Sequence, residues 1–241
     1  MSRQPQKPGA RRGRGGAAPP VPSGSGGRPP GSRSQDYEQK RSELARKILR
    51  AVIAERGRPS LHEIARAADV SIPTLKHYFG DRSGAIAAAL RTVEEDARMH
   101  LAGVASPGPA GLRASLRAMA ADLAQAWSAH GVGALFAAGM AAGVADALAG
   151  PGYIDGVLEP TVRALEARLC VHAERGELGV PADDELGIRS AALAFLSPVI
   201  VALLHQHELS GDRCRPLDIP TFLERHLERF VAAYGPRSAP R

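Results

Sequence analysis

Residues 60–90 read SLHEIARAADVSIPTLKHYFGDRSGAIAAAL, and the prediction of the fold starts from this stretch. Ser60 is followed three residues later by Glu63, which is the pattern of a capping box: each side chain accepts a hydrogen bond from a backbone N–H of the other residue and so fixes a helix start. Ser71 is a second N-cap residue, and Pro73 suits a first helical turn because its missing N–H has no partner to lose there. The stretch therefore predicts two short helices joined by a tight turn, followed by the start of a longer helix.

The two short helices are predicted to present different surfaces. The first has one apolar face at helical spacing, formed by Leu61, Ile64, Ala65 and Ala68. In the second, Leu75 and Phe79 lie four residues apart on one face. The residues left outward there are polar, basic or aromatic: Thr74, Lys76, His77 and Tyr78. Such a pair is typical of a helix-turn-helix that reads DNA, with an ordinary helical hairpin as the alternative.

This segment also resembles the DNA-binding domain of TetR-family transcriptional regulators. The family pattern I-A-x-x-A-x-V-S-x-x-T-L-x-x-Y-F-x-x-K/R is matched without a gap by Ile64, Ala65, Ala68, Val70, Ser71, Thr74, Leu75, Tyr78, Phe79 and Arg82. Asp69 stands where the family usually has Gly in the turn, which is tolerable because Asp adopts left-handed conformations more easily than most residues. Lys76 replaces a frequent Tyr, so the operator sequence cannot be taken from other members.

The resemblance implies that the second short helix enters the major groove of DNA. The residues it assigns to bases or phosphates are Ser60, His62, Ser71, Ile72, Pro73, Thr74, Lys76, His77, Tyr78 and Arg82. Among them, Lys76 is suited to donate to guanine O6 or N7. Arg82 and the hydroxyls of Thr74 and Tyr78 are suited to phosphates, with simple packing as the alternative for Tyr78.

Positive charge is concentrated at the N-terminal end of the chain, whose net charge is +6. Residues 1–35 hold seven Lys or Arg and no acid, residues 37–82 hold ten against six, and residues 83–241 hold fourteen against eighteen. This distribution is expected if one end meets DNA. Residues 1–34 are rich in Gly, Pro, Ser and Arg, which predicts a disordered basic tail without the apolar core of a signal peptide. Its arginines suit phosphate attraction, and a tail with no role is the alternative.

Residues 83–241 predict a larger helical domain without strands. A long, Ala-rich helix starts at Arg82, directly after the second short helix, and joins the DNA reader to the rest. The resemblance implies an apolar effector pocket among the middle helices, with ordinary core as the alternative for each lining residue. The candidates are Met99, Leu116, Met119, Trp127, Phe136, Met140 and Tyr153. Because none of them is charged, we expect a small hydrophobic effector.

The last two helices are predicted at residues 183–209 and 219–234. The first is apolar nearly all round between Ala191 and Leu204, which a surface helix of a monomer would not be. Pairing of both helices with those of a second copy would bury them in a four-helix bundle, and a core hairpin in a monomer is the alternative. The predicted interface residues are Phe195, Val199, Leu203, Phe222, His226 and Phe230.

Motifs of catalysis and metal binding are missing from the sequence. It has no H-E-x-x-H, C-x-x-C, G-x-S-x-G or phosphate loop. His205 and His207 diverge by about 200° on a helix, so they cannot share a metal. Cys170 and Cys214 are too few for a disulfide framework, and no run of apolar residues is long enough to cross a membrane. The sequence predicts a cytoplasmic protein with no catalytic residues, metal or cofactor.

The sequence therefore predicts an all-α homodimeric regulator of TetR type in three parts. These are a disordered basic tail at 1–34, a helix-turn-helix DNA-binding domain at 35–82 and an effector-binding and dimerisation domain at 83–241. We expect a repressor that leaves a pseudo-palindromic operator when a small effector re-spaces its recognition helices, which fit half-sites roughly 35 Å apart. The alternatives are a non-specific nucleic-acid or architectural binder that uses the tail, and a helical ligand-binding protein without regulatory DNA binding.

Overall fold

The computed structural model of the chain describes residues 32–236, and every regular element in that range is helical. The all-α prediction is confirmed. The predicted disordered tail at 1–34 lies outside the described residues except for its last three positions. Those positions belong to the first helix, which begins at Ser32 because no proline follows Pro30 until Pro59 to interrupt it.

Four helices form the N-terminal part. They are α1 (Ser32–Ala54), α2 (Leu61–Ala68), α3 (Ile72–Phe79) and α4 (Arg82–Ala105). The apolar stripe of α1 packs across α2 and α4 through Leu44, Ala45, Ile48 and Val52, all of them buried. From α2 the core receives Ile64, Ala65 and Ala68, and from α3 it receives Leu75 and Phe79. These are the apolar positions that the sequence pattern predicted.

Local hydrogen bonds define where α2 and α3 begin. The capping box of α2 is complete: the Ser60 N–H donates to Glu63 Oε2 at 2.6 Å, and the Glu63 N–H donates to Ser60 Oγ at 3.3 Å. In α3, the Thr74 N–H donates to Ser71 Oγ at 3.3 Å. Because these caps use only residues within one turn, the two helix starts follow from the sequence alone.

Asp69 makes the turn between α2 and α3 in the left-handed conformation, with φ 57° and ψ 47°. The N–H of Asp69 donates to the carbonyl of Arg66, and that of Val70 to the carbonyl of Ala65, which closes the end of α2. This confirms the prediction that Asp69 adopts the left-handed conformation at the turn position where TetR-family sequences usually have Gly.

Substitution of Asp69 tests this backbone conformation. Asp69→Gly is expected to change the free energy of unfolding by less than about 0.5 kcal/mol, because Gly has no Cβ to clash in the left-handed region. Asp69→Ala is expected to lower it by about 1 kcal/mol, because Ala has both the clash and no polar side chain to offset it. Chemical denaturation measures both changes, and equal stability of the two variants would contradict the assignment.

The remaining helices form the larger part of the molecule. They are α5 (Leu112–Ala129), α6 (Val132–Ala145), α7 (Ala149–Tyr153), the π-helical turn π1 (Ile154–Leu158), α8 (Glu159–Glu174), α9 (Glu185–Leu203), the π-helical turn π2 (Leu204–Glu208), α10 (Gly211–Cys214) and α11 (Ile219–Tyr234). From α7 through π1 to α8 the chain is continuously helical, with Pro160 in the first turn of α8. Cys170 and Cys214 are free thiols.

Two glycines bring α7 and π1 into backbone contact with α4. A Cβ at Gly152 would lie 2.7 Å from the Cα of Ala87, and a Cβ at Gly156 would overlap the carbonyl of Leu90. Only a residue without a side chain allows this approach. The long helix α4 is therefore held directly against the segment that leads into α8.

The α9–π2 segment is the most apolar helix of the described range. Residues 185–208 are long and apolar enough to cross a membrane by composition, and α5 with α6 would also qualify if their 80° bend were ignored. Half of the most apolar 18-residue stretch of this segment is buried inside the molecule, where α9 packs on α8 and α11. We therefore interpret α9 as a core helix.

Candidate functional site

The outer surface of α3 is the candidate DNA-reading face. Leu75 and Phe79 anchor the helix in the core, which turns the opposite side to the solvent. That side exposes Pro73, Lys76 and His77, with Thr74 half-buried beside them, whereas Ile72 and Tyr78 are half-buried and pack against the core. All six were predicted as DNA contacts, and the structure places them together on one helix.

Lys76 is the cation at the centre of this face. Its side chain is exposed, and its ammonium group makes no hydrogen bond or ion pair with any residue between 32 and 236. A lysine in this state has three donors available for an incoming acceptor. The geometry therefore fits the role that the resemblance assigns to Lys76.

The C-terminal end of α3 is held by the N-terminal half of α1. The Tyr37 ring stacks on the Tyr78 ring with centroids 4.9 Å apart, and the Tyr37 hydroxyl donates to the His77 carbonyl at 3.4 Å. Arg41 Nε donates to the Tyr78 carbonyl at 3.3 Å, and its guanidinium lies 5.6 Å from the centre of the Phe79 ring. Because these contacts use the ring of Tyr78 and the carbonyls at the helix end, they fix the orientation of the reading face.

The predicted contacts at the helix starts are partly committed to capping. Ser60 and Ser71 each cap a helix, and the Ser71 and Thr74 hydroxyls are hydrogen-bonded to each other at 2.9 Å. His62 is exposed on the first turn of α2. The hydrogen bond from the Ser60 N–H keeps the pKa of the Glu63 carboxyl below its usual range, so a negative charge stands at this helix start. A phosphate at this helix start would meet that charge and would find the Ser60 and Glu63 N–H groups already hydrogen-bonded.

Arg82 has a role that the sequence did not reveal. Its Nε donates to the Pro59 carbonyl at 2.6 Å, and its Nη1 lies 3.8 Å from Asp146 Oδ2. The guanidinium therefore links the loop before α2 and the start of α4 to the end of α6. Its predicted contact with a phosphate remains a prediction, but replacement of Arg82 would also break this link.

A cavity of about 480 Å³ lies between α4, α5, α6, π1 and α8 and is the candidate effector pocket. Of the predicted lining residues, Met99, Met119 and Phe136 line it, with Met99 85% exposed at its rim. The other four do not. Leu116, Trp127 and Tyr153 are buried in the core, and Met140 lies outside the cavity.

Most residues of the cavity wall are not among those predicted from the sequence. The additional lining residues with buried or half-buried side chains include Leu123, Leu135, Val157, Thr161, Leu165 and Leu196. They come from five different elements, and helical spacing indicates which residues share a face but not which helix that face meets. The rim adds the polar residues His100 and Asp122, so the cavity is apolar inside and polar where it opens.

Arg168 is the charged residue at the inner wall of the cavity, and it is only 7% exposed. Its Nε donates to the Val104 carbonyl at 2.5 Å. Its Nη1 donates to the Ser115 carbonyl at 3.2 Å and to the Ser115 hydroxyl at 2.6 Å. Its Nη2 donates to the Gly103 carbonyl at 3.1 Å and to the Ser106 carbonyl at 3.2 Å. All five N–H donors are thus used. Burial lowers the pKa of this guanidinium. Arg168 therefore ties α8 to the end of α4 and to α5, and it has no donor left for a ligand.

A serine, a histidine and a glutamate form a chain of hydrogen-bonded side chains beside Arg168. Ser115 Oγ lies 2.9 Å from His172 Nε2, and His172 Nδ1 lies 2.8 Å from Glu177 Oε2, which also accepts the Leu112 N–H at 2.8 Å. The hydrogen bond from His172 keeps the pKa of Glu177 below its usual range. The order resembles a catalytic triad, but Ser115 is 2% exposed and its oxygen already accepts from Arg168. We assign the cluster a structural role.

The helix α6 connects the cavity to the N-terminal part formed by α1 to α4. Phe136 lines the cavity. Two residues further on, the carbonyl of Ala138 is in such close contact with Gly57 that a Cβ at Gly57 would overlap it. Asp146, at the end of α6, accepts a hydrogen bond from the Ser83 hydroxyl in the first turn of α4. That hydrogen bond is the main cause of the lowered pKa of Asp146, so the carboxylate is ionised at neutral pH. A displacement of α6 would therefore reach the N-terminal part at two points, Gly57 and Ser83.

The predicted dimer residues divide into two groups. Four of them fill the core of the single chain and are at most 3% exposed: Phe195, Val199, Leu203 and Phe230. This part of the prediction is wrong, because residues buried inside one chain do not form a surface for contact with a second chain. The cause is that an all-apolar helix does not reveal from its sequence which face points inward. Phe222 and His226 are half-buried beside a surface groove, although the His226 ring is hydrogen-bonded to the Phe195 carbonyl. The large apolar residues that α9 does expose are Leu186, Leu193 and Val201.

The described residues contain no cluster of three or more His, Cys, Asp or Glu side chains that could hold a metal ion.

No protein-family model matches the chain, and no curated protein is significantly similar to it in sequence.

Solved structures with the same fold are nevertheless found. A proposed TetR-family transcriptional regulator from Mesorhizobium loti has a TM-score of 0.62 at 15% identity, covering 83% of this chain and 98% of its own. Salmonella enterica GusR has a TM-score of 0.58 at 21% identity, covering 80% and 96%. A TetR-family regulator from Streptomyces coelicolor has a TM-score of 0.54 at 24% identity, covering 81% and 80%. The chain therefore shares the fold of TetR-family regulators over nearly all of its described residues.

Proposed function

We propose that this chain is a transcriptional regulator of the TetR family that binds a specific DNA operator through α3. The observation that carries the proposal is the outward face of α3, where the exposed Lys76 stands between Pro73 and His77 on a helix whose two ends are both held in place. A rigid helix with a free cation on its outer face is what direct readout of a base edge requires. The shared fold with TetR-family regulators supports the same function.

We further propose a homodimer that acts in the cytoplasm as a repressor of a pseudo-palindromic operator. Two copies of α3 are needed to read two half-sites one helical turn apart. The apolar residues that α9 leaves exposed, with Val201 at 63% and Leu186 at 74%, are the surface available for the second copy. The half-buried Phe222 of α11 lies next to this surface, beside Pro198 and Val201 of α9.

The proposed effector is a small, mainly apolar molecule bound in the cavity between α4 and α8. The cavity lies within the size range of small-molecule sites, and its interior side chains are almost all apolar. Since Arg168 has no free donor, an anionic ligand would have to break existing hydrogen bonds to pair with it. Binding would displace α6, and through Gly57 and Asp146 this displacement would move the two reading helices relative to each other.

Filling the cavity tests the effector part of this function. Thr161 is half-buried in the wall, and its hydroxyl bonds only the Val157 carbonyl of its own helix, at 2.9 Å. Thr161→Phe is expected to abolish the rise in Tm that an apolar compound causes, while DNA affinity without the compound stays within about threefold. Thr161→Val, which keeps the volume of the side chain, is the matched control and is expected to retain the response.

The measurement is a thermal-shift screen of apolar compounds, followed by fluorescence anisotropy of a DNA fragment selected from the host genome. A compound that raises the Tm of the unmodified chain is expected to release that fragment, and not to release it from the Thr161→Phe variant. Release from the Thr161→Phe variant at the same concentration would show that the effector binds elsewhere. Stabilisation by a compound without any release would contradict the proposed regulation.

A further inference from the structure

Two of the described residues that line the cavity between α4 and α8 are charged, Asp122 and Arg168. They differ in their partners. Arg168 is buried, and its guanidinium donates to oxygens of α4, α5 and the loop between them with all of its N–H groups. Asp122 is exposed, and its carboxylate makes no hydrogen bond or ion pair with any residue between 32 and 236. The charge that is available to a ligand is therefore the negative one.

Asp122 lies on the face of α5 that lines the cavity. Met119 and Ala126, three residues before it and four residues after it, line the cavity as well, so the three side chains share one side of the helix. Because Asp122 is exposed while Met119 is buried, the carboxylate lies where this face reaches the opening. A ligand that fills the cavity up to its opening would cover part of the carboxylate and remove water from it. That loss is unfavourable unless the ligand supplies an opposite charge or a donor.

The charges around the opening favour a cationic ligand over an anionic one. Burial lowers the pKa of the Arg168 guanidinium, and the negative charge of Asp122 acts against this effect, so the two groups are close without being bonded. The positive charge of Arg168 already faces the oxygens to which it donates. Residues 83–241 hold fourteen Lys or Arg against eighteen Asp or Glu, so the surrounding domain does not repel a cation.

We propose that the cavity binds an apolar molecule with one protonated amine, whose ammonium group pairs with Asp122 at the opening while its apolar part lies against Leu123 and Phe136. An ammonium group donates charge-assisted hydrogen bonds to a carboxylate. An alkyl amine carries this charge at neutral pH, as the lysine side chain does with its pKa of about 10.4. The inference rests on the function proposed above, because it names the chemical class of the effector for the same cavity.

Three probes with the same alkyl chain isolate the effect of the charge of the head group. They are octylamine, 1-octanol and octanoate, which are cationic, neutral and anionic at neutral pH. Isothermal titration calorimetry with the full chain at low salt measures their dissociation constants. Octylamine is expected to bind at least about fivefold more tightly than octanol, which is less than a buried charged hydrogen bond would give because Asp122 is exposed. Octanoate is expected to bind more weakly than octanol.

Substitution of Asp122 tests the origin of this preference. Asp122→Asn removes the charge at nearly constant volume, and the affinity ratio of octylamine to octanol is expected to fall to within about twofold of one. Asp122→Glu keeps the charge and is expected to keep most of the preference. The matched control is Asp212→Asn in α10, which removes an exposed carboxylate that does not line the cavity and is expected to leave the ratio unchanged. Added salt is expected to reduce the ratio, because it screens an exposed ion pair.

The Thr161→Phe variant shows where the probes bind. Since Thr161 lies in the cavity wall, the larger side chain is expected to weaken the binding of both octylamine and octanol at least about tenfold. A probe that instead binds to the exposed apolar side chains of α9 would keep its affinity in this variant.

The outcomes separate the amine site from the proposed regulation. Equal affinities for octylamine and octanol, or a preference that Asp122→Asn leaves unchanged, would overturn the amine site. Octylamine that does not bind, or binds equally well to the Thr161→Phe variant, would overturn it too. If a neutral compound nevertheless binds in the cavity and releases the selected DNA fragment, the proposed regulation stands without the amine class. If octylamine binds as expected and no compound in the cavity releases DNA, the amine site stands and the regulation fails.

Discussion

Arg168→Met is expected to lower the free energy of unfolding by about 3 kcal/mol or more. The guanidinium donates five hydrogen bonds to four residues of α4, α5 and the loop between them. Leaving a buried carbonyl or hydroxyl without a partner costs about 1–3 kcal/mol each, and water can replace the donor only at the exposed Gly103 and Ser106. For a domain of this size the loss corresponds to a fall in Tm of roughly 6–12 °C.

Arg163→Met is the matched control for this experiment. Arg163 lies on the same helix, is exposed, and pairs with Glu94 at 3.0 Å on the surface. An exposed pair of this kind contributes about 0–1 kcal/mol. Thermal and chemical denaturation of both variants measure the difference. A fall in stability of less than about 1 kcal/mol for Arg168→Met would mean that the guanidinium does not hold the three helices together.

Lys76→Ala is expected to reduce discrimination between operator and random DNA by about 1–3 kcal/mol, the usual contribution of a lysine or arginine contact with guanine. The reason is that Lys76 is the exposed cation of α3, with no partner among residues 32–236 to compete with a base. Because the side chain is exposed, stability is expected to stay within about 0.5 kcal/mol. Competition anisotropy with labelled operator and unlabelled random DNA measures the change.

Two comparisons make the Lys76 result specific. Arg98→Ala removes an exposed charge of α4 that lies far from α3, and it is expected to leave discrimination unchanged. Arg82→Ala is less informative than the sequence suggested, because it also breaks the bond to the Pro59 carbonyl and the pair with Asp146. If Lys76→Ala and Arg98→Ala bind operator and random DNA identically, α3 does not read bases through Lys76.

What the sequence predicted well depends on contacts within one or two turns. The capping box of Ser60 and Glu63, the N-cap at Ser71 and the left-handed Asp69 involve neighbouring residues, and each is found as predicted. The apolar positions of α2 and α3 also hold, because a short helix with one apolar stripe has only one way to face a core.

What the sequence missed depends on which helices meet. Leu116, Trp127 and Tyr153 were assigned to the cavity because they are large and apolar, but they pack into the core beside it. The π-helical turns were also missed, although π1 supplies Gly156 and Val157 to the cavity wall. Nothing in local spacing distinguishes a residue that lines a cavity from one that fills a core.

Arg168 shows that one missed residue did carry a signal. It lies in α8 among Leu165, Leu169 and the fully buried His172, all facing the core. A charged residue within an apolar stripe is either an error in the assigned face or a buried group with a full set of partners. Searching predicted helix faces for such residues would have located this cluster before its contacts were known.

In the proposed complex, α3 of two copies of this chain reads two half-sites on DNA. The most direct test is to select fragments of the host genome with the purified full chain and to footprint the strongest of them. We expect a pseudo-palindromic sequence with two protected regions about one helical turn, or roughly 35 Å, apart, and loss of both regions with Lys76→Ala. Selected fragments that share no sequence, with uniform protection that Lys76→Ala leaves unchanged, would contradict the claim.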